Sequence, residues 1–263
     1  GDYSKGSEYI EQAVELAPDE ASLRAQLAMA FLGEGKSSEA EAMLESATEM
    51  NSDLIRADIV LVQLYLRNNE YDKALAAAEV LAKKRPDAPL AYNFLAAAYA
   101  GKGERVKSRE QLEKALEISP TFSSAHINLA RMDLQDGNGA AARLHYEAVL
   151  KNSPDHLNAM LGMATLDEMA GRLSEALTWL KKAHQAHPEA LQPGLRLYRQ
   201  YIATGERLKA LQVARTVADA NPKSPAAIEA LATSQLVNDD LNNAMVNYEK
   251  LVELSPDSAQ ANL

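Results

Sequence analysis

The sequence predicts an all-α solenoid of stacked helix pairs, and two rulers of one spacing predict it. Pro18, Pro86, Pro120, Pro154, Pro188, Pro222 and Pro256 lie on ticks 34 residues apart, and Ser52 holds the one tick without proline. Proline has no N–H and pushes the preceding residue out of the helical region, so each tick breaks a helix. Gly35, Asn69, Gly103, Gly137, Gly171, Gly205 and Asp239 fall on a second ruler of the same period. These residue types tolerate positive φ best, so each marks a tight turn. A turn at the middle and a break at the end of every period make a helix–turn–helix module, and such modules stack into an array.

The elements follow in order. After a half-repeat over 2–20, the repeat 21–54 sets Leu27 and Ala28 on its first helix, Gly35 at its turn and Ala40 on its second helix. The repeat 55–88 does the same with Leu61, Val62, Asn69 and Ala74, and 89–122 with Leu95, Ala96, Gly103 and Ser108. In 123–156 an apolar-periodic stretch runs from Ser123 to Gln135, a turn follows at Asp136-Gly137-Asn138, and a second stretch runs from Ala140 to Lys151. Its Leu129, Ala130, Leu134, Ala142, Tyr146 and Val149 recur at spacings of three and four, which places them on one face of each helix. The repeats 157–190, 191–224 and 225–258 carry Met163, Ala164 and Ala176, then Leu197, Tyr198 and Ala210, then Leu231, Ala232 and Ala244. A truncated repeat, 259–263, comes last. Leucine fills each layer, and the small column on the second helix lets the pair approach. Ala142→Phe is therefore expected to pry the pair apart at a cost of about 1–3 kcal/mol. Neither end shows a polar cap over its apolar face, so the chain is expected to be a segment of a longer array.

Composition narrows the function. Apolar residues make up 47% of the 263 and aromatics only 5%, so alanine does much of the packing. A net charge of −10 argues against nucleic acid, whose phosphates need clustered Lys and Arg. No apolar run approaches the roughly 20 residues that span a bilayer, so no direct membrane insertion is expected. The absence of cysteine excludes disulfides, thiolate metal sites and a cysteine nucleophile.

The chemistry-bearing residues yield no catalytic set and no cofactor site. No Ser-His-Asp arrangement, phosphate-binding loop or dinucleotide fingerprint is present, and Gly101-Lys102-Gly103 lies in a helix–helix turn. No enzyme activity, cofactor or metal is expected. His184 and His187 have a chelating spacing without a third ligand and read as solvent-facing residues that cap last-turn carbonyls. His126 with His145 makes no better case. Trp179, the single tryptophan, reads as a surface or packing aromatic. One column breaks its own pattern: Phe31, Tyr65, Tyr99 and Tyr201 are aromatic where Asp133, Asp167 and Gln235 are not. Two aspartates one repeat apart read as solvated helix-end residues or as partners of Arg131 or Arg143, in preference to a cation site.

These columns resemble the tetratricopeptide repeat (TPR) over essentially the whole chain. The resemblance implies a right-handed superhelical solenoid whose first helices line a concave groove and whose second helices form the back. It implies a non-catalytic scaffold that binds a protein or an extended peptide. By helical phase, the groove set is Arg56, Gln63, Asn93, Phe94, Asn128, Arg131, Asn158, Thr165, Gln192, Arg196 and Arg199. The set is polar and mildly basic, which suits an extended backbone, a carboxylate or the acidic groups of a sugar polymer. The first helices balance Arg24, Arg56, Arg67, Arg131, Arg196 and Arg199 against Asp58, Asp133, Asp167, Glu168 and Glu229, which leaves the excess acid on second helices and turns. Some members grip a chaperone's C-terminal carboxylate. Here Asn93 and Asn128 could serve, but Leu90, Ala97, Asn158 and Gly162 stand where the basic partners belong, so no such clamp is expected.

A narrower resemblance rests on Ala130-Arg131-Met132-Asp133-Leu134 with Ala141-Ala142-Arg143-Leu144-His145-Tyr146, on His187-Pro188-Glu189-Ala190-Leu191-Gln192-Pro193, and on Leu251-Val252-Glu253-Leu254-Ser255-Pro256. These stretches are similar to bacterial TPR lipoproteins of the PEP-CTERM protein-sorting and exopolysaccharide system. That likeness implies a bacterial cell-envelope protein on the periplasmic side, anchored by a lipidated cysteine upstream, with acidic exopolysaccharide as the alternative ligand. An enzyme's regulatory TPR segment is the remaining alternative.

Overall fold

The structure, a computed structural model, describes residues 3–51 and 54–255. The proline-free tick at Ser52, the last proline at Pro256 and the truncated repeat 259–263 lie outside the described residues. All fifteen elements among the described residues are α-helices. The chain divides into two compact units, Gly1–Leu129 and Ala130–Leu263. Unit 1 holds α1 (Tyr3–Leu16), α2 (Ala21–Glu34), α3 (Ser37–Met50), α4 (Ile55–Arg67), α5 (Tyr71–Lys84), α6 (Pro89–Gly101) and α7 (Arg105–Ile118). The division falls within α8 (Ser123–Gln135). Unit 2 continues with α9 (Gly139–Asn152), α10 (Leu157–Met169), α11 (Leu173–Ala186), α12 (Leu191–Ala203), α13 (Arg207–Ala220), α14 (Pro225–Leu236) and α15 (Leu241–Leu254).

The turn ruler is realised at every tick. Gly35, Asn69, Gly103, Gly137, Gly171, Gly205 and Asp239 all have positive φ, and no other described residue does. Asn69 (φ 61°) and Asp239 (φ 62°) show that the position demands this conformation strongly enough to impose it on residues with a Cβ. The reason is a shared cap. In each first helix the amide just past the turn residue reaches five residues back, as in Lys36 N–H to the Phe31 carbonyl (2.9 Å) and Asn138 N–H to the Asp133 carbonyl (2.8 Å). This bond closes only when the intervening residue is left-handed. The aromatic-or-aspartate column therefore has one fixed backbone task, accepting the bond that ends the helix. The second helices end on extended residues, among them Arg85 (φ −134°), Ser119 (φ −138°) and Ser153 (φ −136°), each directly before a proline.

Packing inside each unit is local. In unit 1, α1 packs on α2, α2 on α3, α3 on α4, α4 on α5, α5 on α6 and α6 on α7. In unit 2 the same succession runs from α9 to α15. Leu27, Leu61, Leu95, Leu129, Met163, Leu197 and Leu231 are all buried, as the leucine column requires. The small column of the second helices is buried throughout, from Ala40 to Ala244. Its one hydroxyl, Ser108 Oγ, donates to the Ala96 carbonyl at 2.8 Å, a direct measure of how near the two helices come. Gly162 shows the same economy in unit 2, since a Cβ there would stand 2.2 Å from Cζ of the buried Tyr146 ring. Fully buried leucines such as Leu44, Leu64 and Leu180 each contribute about 1.5–3 kcal/mol.

Candidate functional site

Unit 1 holds an apolar cleft, lined mostly by its first helices α2 and α4, with one cationic residue. A cavity of about 640 Å³ is lined by side chains of α1, α2 and α4, with Leu44 of α3 at its base. Ile10, Ala25, Met29, Leu54 and Val60 supply most of its wall, and Ser22, Gln26 and Arg56 are its polar members. Arg56, from the predicted groove set, therefore lines this cleft, and it is exposed with no hydrogen bond or ion pair. Gln63, one turn further along α4, is exposed too. Asn93 and Asn128 are brought together: the Asn128 amide donates to Asn93 Oδ1 at 2.9 Å, and both are half-buried. The expectation for Phe94 is corrected. Its ring is 6% exposed and belongs to the core, because it shares a helix face with the fully buried Ala91 and Ala98.

In unit 2 the groove set splits into free and committed members. Arg131, Asn158, Gln192 and Arg199 are exposed, without a hydrogen bond or ion pair. Thr165 and Arg196 instead tie α10 to α12. Arg196 donates to Glu168 Oε2 at 2.7 Å, to Thr165 Oγ1 at 3.2 Å and to the Leu161 carbonyl at 3.4 Å. Thr165 Oγ1 itself donates to that same carbonyl at 3.0 Å. A guanidinium so placed is a strut between repeats.

The two unusual aspartates are buried, 5% exposed at Asp133 and 2% at Asp167. Asp167 accepts from Arg143 at 2.5 Å and from Arg172 at 2.7 Å. Burial pushes its carboxyl up, but the Arg172 and Arg143 guanidiniums outweigh burial and hold it below the ordinary range. Asp133 Oδ2 lies 3.6 Å from His145 Nε2. The solvated reading of these residues is thus corrected, while the pairing with Arg143 holds for Asp167: the column faces inward, where Arg143 and Arg172 meet Asp167 and the His145 ring lies beside Asp133. A third buried carboxylate, Asp58, went unread in the sequence, and both of its oxygens accept from Lys84 Nζ, at 2.7 and 2.9 Å. With Asp58, Asp133 and Asp167 buried and Glu168 held, the free charge of the described first helices is mostly cationic, at Arg56, Arg131 and Arg199 against Glu229 alone. A count of charges from sequence reads the same helices as neutral.

The histidine readings also change. His184 Nδ1 is buried without a hydrogen-bond partner and sits where a Cβ on Gly194 would approach it to 3.3 Å, so His184 faces the next helix and not solvent. Burial lowers its pKa. His187 does engage a carbonyl, that of Asp155 in the preceding repeat (2.6 Å). Trp179 is half-buried against the core of unit 2, with Lys182 Nζ 4.7 Å from its ring centre. Among the described residues no three His, Asp or Glu side chains converge on a metal position, and no described helix is long and apolar enough to cross a membrane.

The unit 1 cleft was missed in the sequence although a signal for it existed. Met29 shares its column with Gln63, Arg131, Thr165 and Arg199, and Ser22 shares one with Arg56, Asn158 and Gln192. Extending the groove phase back by one repeat reaches the cleft.

Models of the tetratricopeptide repeat match the chain over residues 31–98 and 133–189, and a second such model over 90–122. No curated protein sequence matches significantly. Among solved structures, yeast Tom70 is similar at a TM-score of 0.74 and 13% identity, covering 98% of this chain and 56% of that one. PilF of Pseudomonas aeruginosa is similar at 0.63 and 15% identity, covering 79% of this chain and 95% of its own. PilW, described as a widely conserved type IV pilus biogenesis factor, is similar at 0.57 and 18% identity, covering 92% and 96%. This chain thus spans little more than half the length of the Tom70 structure it resembles.

Proposed function

The chain belongs to the tetratricopeptide repeat family, and we propose on that premise that it is a non-catalytic scaffold binding partner proteins along the first helices of its repeats. One observation carries the reading. Arg131, Asn158, Gln192 and Arg199 on the first helices of unit 2 are exposed and hold no hydrogen bond or ion pair, while other cations near these helices, Arg196 and Arg143 among them, are committed. Free amides match the donors and acceptors of an extended peptide backbone, and free guanidiniums match carboxylates. An extended partner segment is the ligand this set fits.

The placement of this scaffold in the bacterial envelope, in PEP-CTERM protein sorting or exopolysaccharide export, extends the proposal and rests on the sequence stretches named above. Direct binding of an acidic polysaccharide is the second reading. It loses Arg196, whose guanidinium is held by Glu168, and keeps Arg131 and Arg199. The test is capture by the full chain, with crosslinking, from an envelope extract of its source, beside an Arg131→Glu/Arg199→Glu variant of matched helicity. A defined protein retained by the parent and lost by the variant is the expected result. Glycan alone, lost in the variant, selects the polysaccharide; equal retention by both overturns the groove assignment.

A further inference from the structure

The cleft of unit 1 holds different chemistry from the exposed groove positions of unit 2, so the two do not ask for the same ligand. Of the eleven described residues that line the unit 1 cleft, eight are apolar, and the only charged one among them is Arg56. At about 640 Å³ the cleft falls within the roughly 300–1,000 Å³ of ordinary ligand sites. Resting on the scaffold reading above, we infer that this cleft receives the apolar face of an amphipathic helix from a partner protein, with an acidic side chain of that helix paired to Arg56.

Three observations choose this occupant. An extended peptide laid across the cleft would find few hydrogen-bond partners, since beside Arg56 only Ser22 and Gln26 are polar and Ser22 Oγ already donates to Glu20 at 2.9 Å. Each backbone group left unsatisfied weakens such binding. A helix closes its own backbone bonds and offers only side chains. Charge is the second observation. Arg56 is a free guanidinium at the rim of an apolar site in a chain of net charge −10, so a carboxylate is the group that gains a partner there and relieves an unpaired cation. The third is Met29, whose unbranched side chain is 45% exposed in the wall and can adapt to an aliphatic ridge.

The test uses two labelled synthetic helical peptides of about 18 residues, five turns, each with a leucine stripe on one face and, beside it, a single Glu in one peptide and a single Lys in the other. Fluorescence anisotropy is read against the full chain and against Met29→Asp, Arg56→Glu and Arg131→Glu/Arg199→Glu variants of unchanged helicity. All four side chains are exposed, so the fold tolerates these changes. Saturable binding of the Glu peptide is expected, weakened about tenfold or more by Met29→Asp, which sets an unpaired charge in the apolar wall. Arg56→Glu should weaken the Glu peptide about tenfold and turn the preference to the Lys peptide. No saturable binding, or binding that ignores both unit 1 variants, overturns the inference. Loss confined to Arg131→Glu/Arg199→Glu also overturns it while leaving the scaffold reading intact; that reading fails separately, by equal capture in the extract experiment.

Discussion

Unit 1 and the Asp133 and Asp167 repeats of unit 2 give one backbone position opposite side chains. In unit 1 the residue whose carbonyl ends each first helix is Phe31, Tyr65 or Tyr99, and a lysine ammonium stands over each ring: Lys36 at 5.3 Å, Lys73 at 5.2 Å and Lys107 at 5.3 Å. In unit 2 the same position carries Asp133, beside the His145 ring, and Asp167, met by Arg143 and Arg172, before it returns to an aromatic at Tyr201, with Lys209 5.6 Å from the ring centre, and to Gln235. A cation thus meets the three rings of unit 1 and both Asp167 and Tyr201 of unit 2. The period dictates the carbonyl's hydrogen bond and leaves open whether the cation meets a quadrupole or a full charge. That choice sets the magnitude at stake, since an exposed cation–π contact contributes about 0.5–1 kcal/mol whereas breaking a buried ion pair costs about 3–5 kcal/mol.

The largest expected effect lies where the charge is most enclosed. Arg143→Met with Arg172→Met leaves the Asp167 carboxylate buried without a cation. We expect a loss of about 3–5 kcal/mol, read in urea unfolding through Trp179, the chain's one tryptophan, which packs on the core of unit 2. Adding Asp167→Tyr, the residue type of unit 1, should recover much of the loss. Failure to recover would mean that unit 2 has been shaped around the charge and that the two solutions are not interchangeable.

Next comes the close approach of paired helices, which both units share. Ala142 is fully buried, and Phe in its place should cost about 1–3 kcal/mol in overpacking. Gly162→Ala should fall in the same range, because the buried Tyr146 ring must move to admit a Cβ. An unchanged melting temperature for Ala142→Phe would break the register on which the comparison depends.

Acid separates the units at their shared column. Asp167 has a folded pKa held below its ordinary 3.8, so its stabilising contribution is complete above that value and is lost as pH falls through the lowered folded pKa. The Trp179 signal should therefore lose stability in that acid window, and Asp167→Asn should flatten the loss. A parent and an Asn variant with identical acid limbs would show that the arginines do no net work on this carboxylate.

Most of the fold was legible because each repeat states it again: a proline break, a left-handed turn and two small columns recur until chance is excluded. The site was legible only where one column suffices. Helical phase found Arg131, Asn158, Gln192 and Arg199 exposed. It failed for Arg196, whose partner Glu168 lies in another column and another repeat, 28 positions away, and for the burial of Asp167, although Arg143 is one of the two partners the sequence suggests for the aspartates. A periodic reading aligns like positions and is blind to unlike ones that meet across a helix interface. Phe94 failed because it shares a helix face with Ala91 and Ala98, both fully buried, so its own phase turns it to the core.

The smallest effect sharpens the comparison from the side of unit 1. Lys107 stands over the Tyr99 ring and also pairs with Glu104 at 2.5 Å, with its ammonium near solvent. Lys107→Met keeps most of the aliphatic stem and removes the charge, so it should lower the urea midpoint of far-UV circular dichroism by less than any of the buried substitutions. Salt adds the discrimination: the exposed Glu104 pair is screened, whereas the ammonium's short-range contact with the ring face depends little on salt. A loss that vanishes at high salt would assign the lysine to Glu104 and leave the ring without a cation partner of consequence. The aromatic column of unit 1 would then act through burial alone, and the likeness between the two units would reduce to the carbonyl that caps the helix.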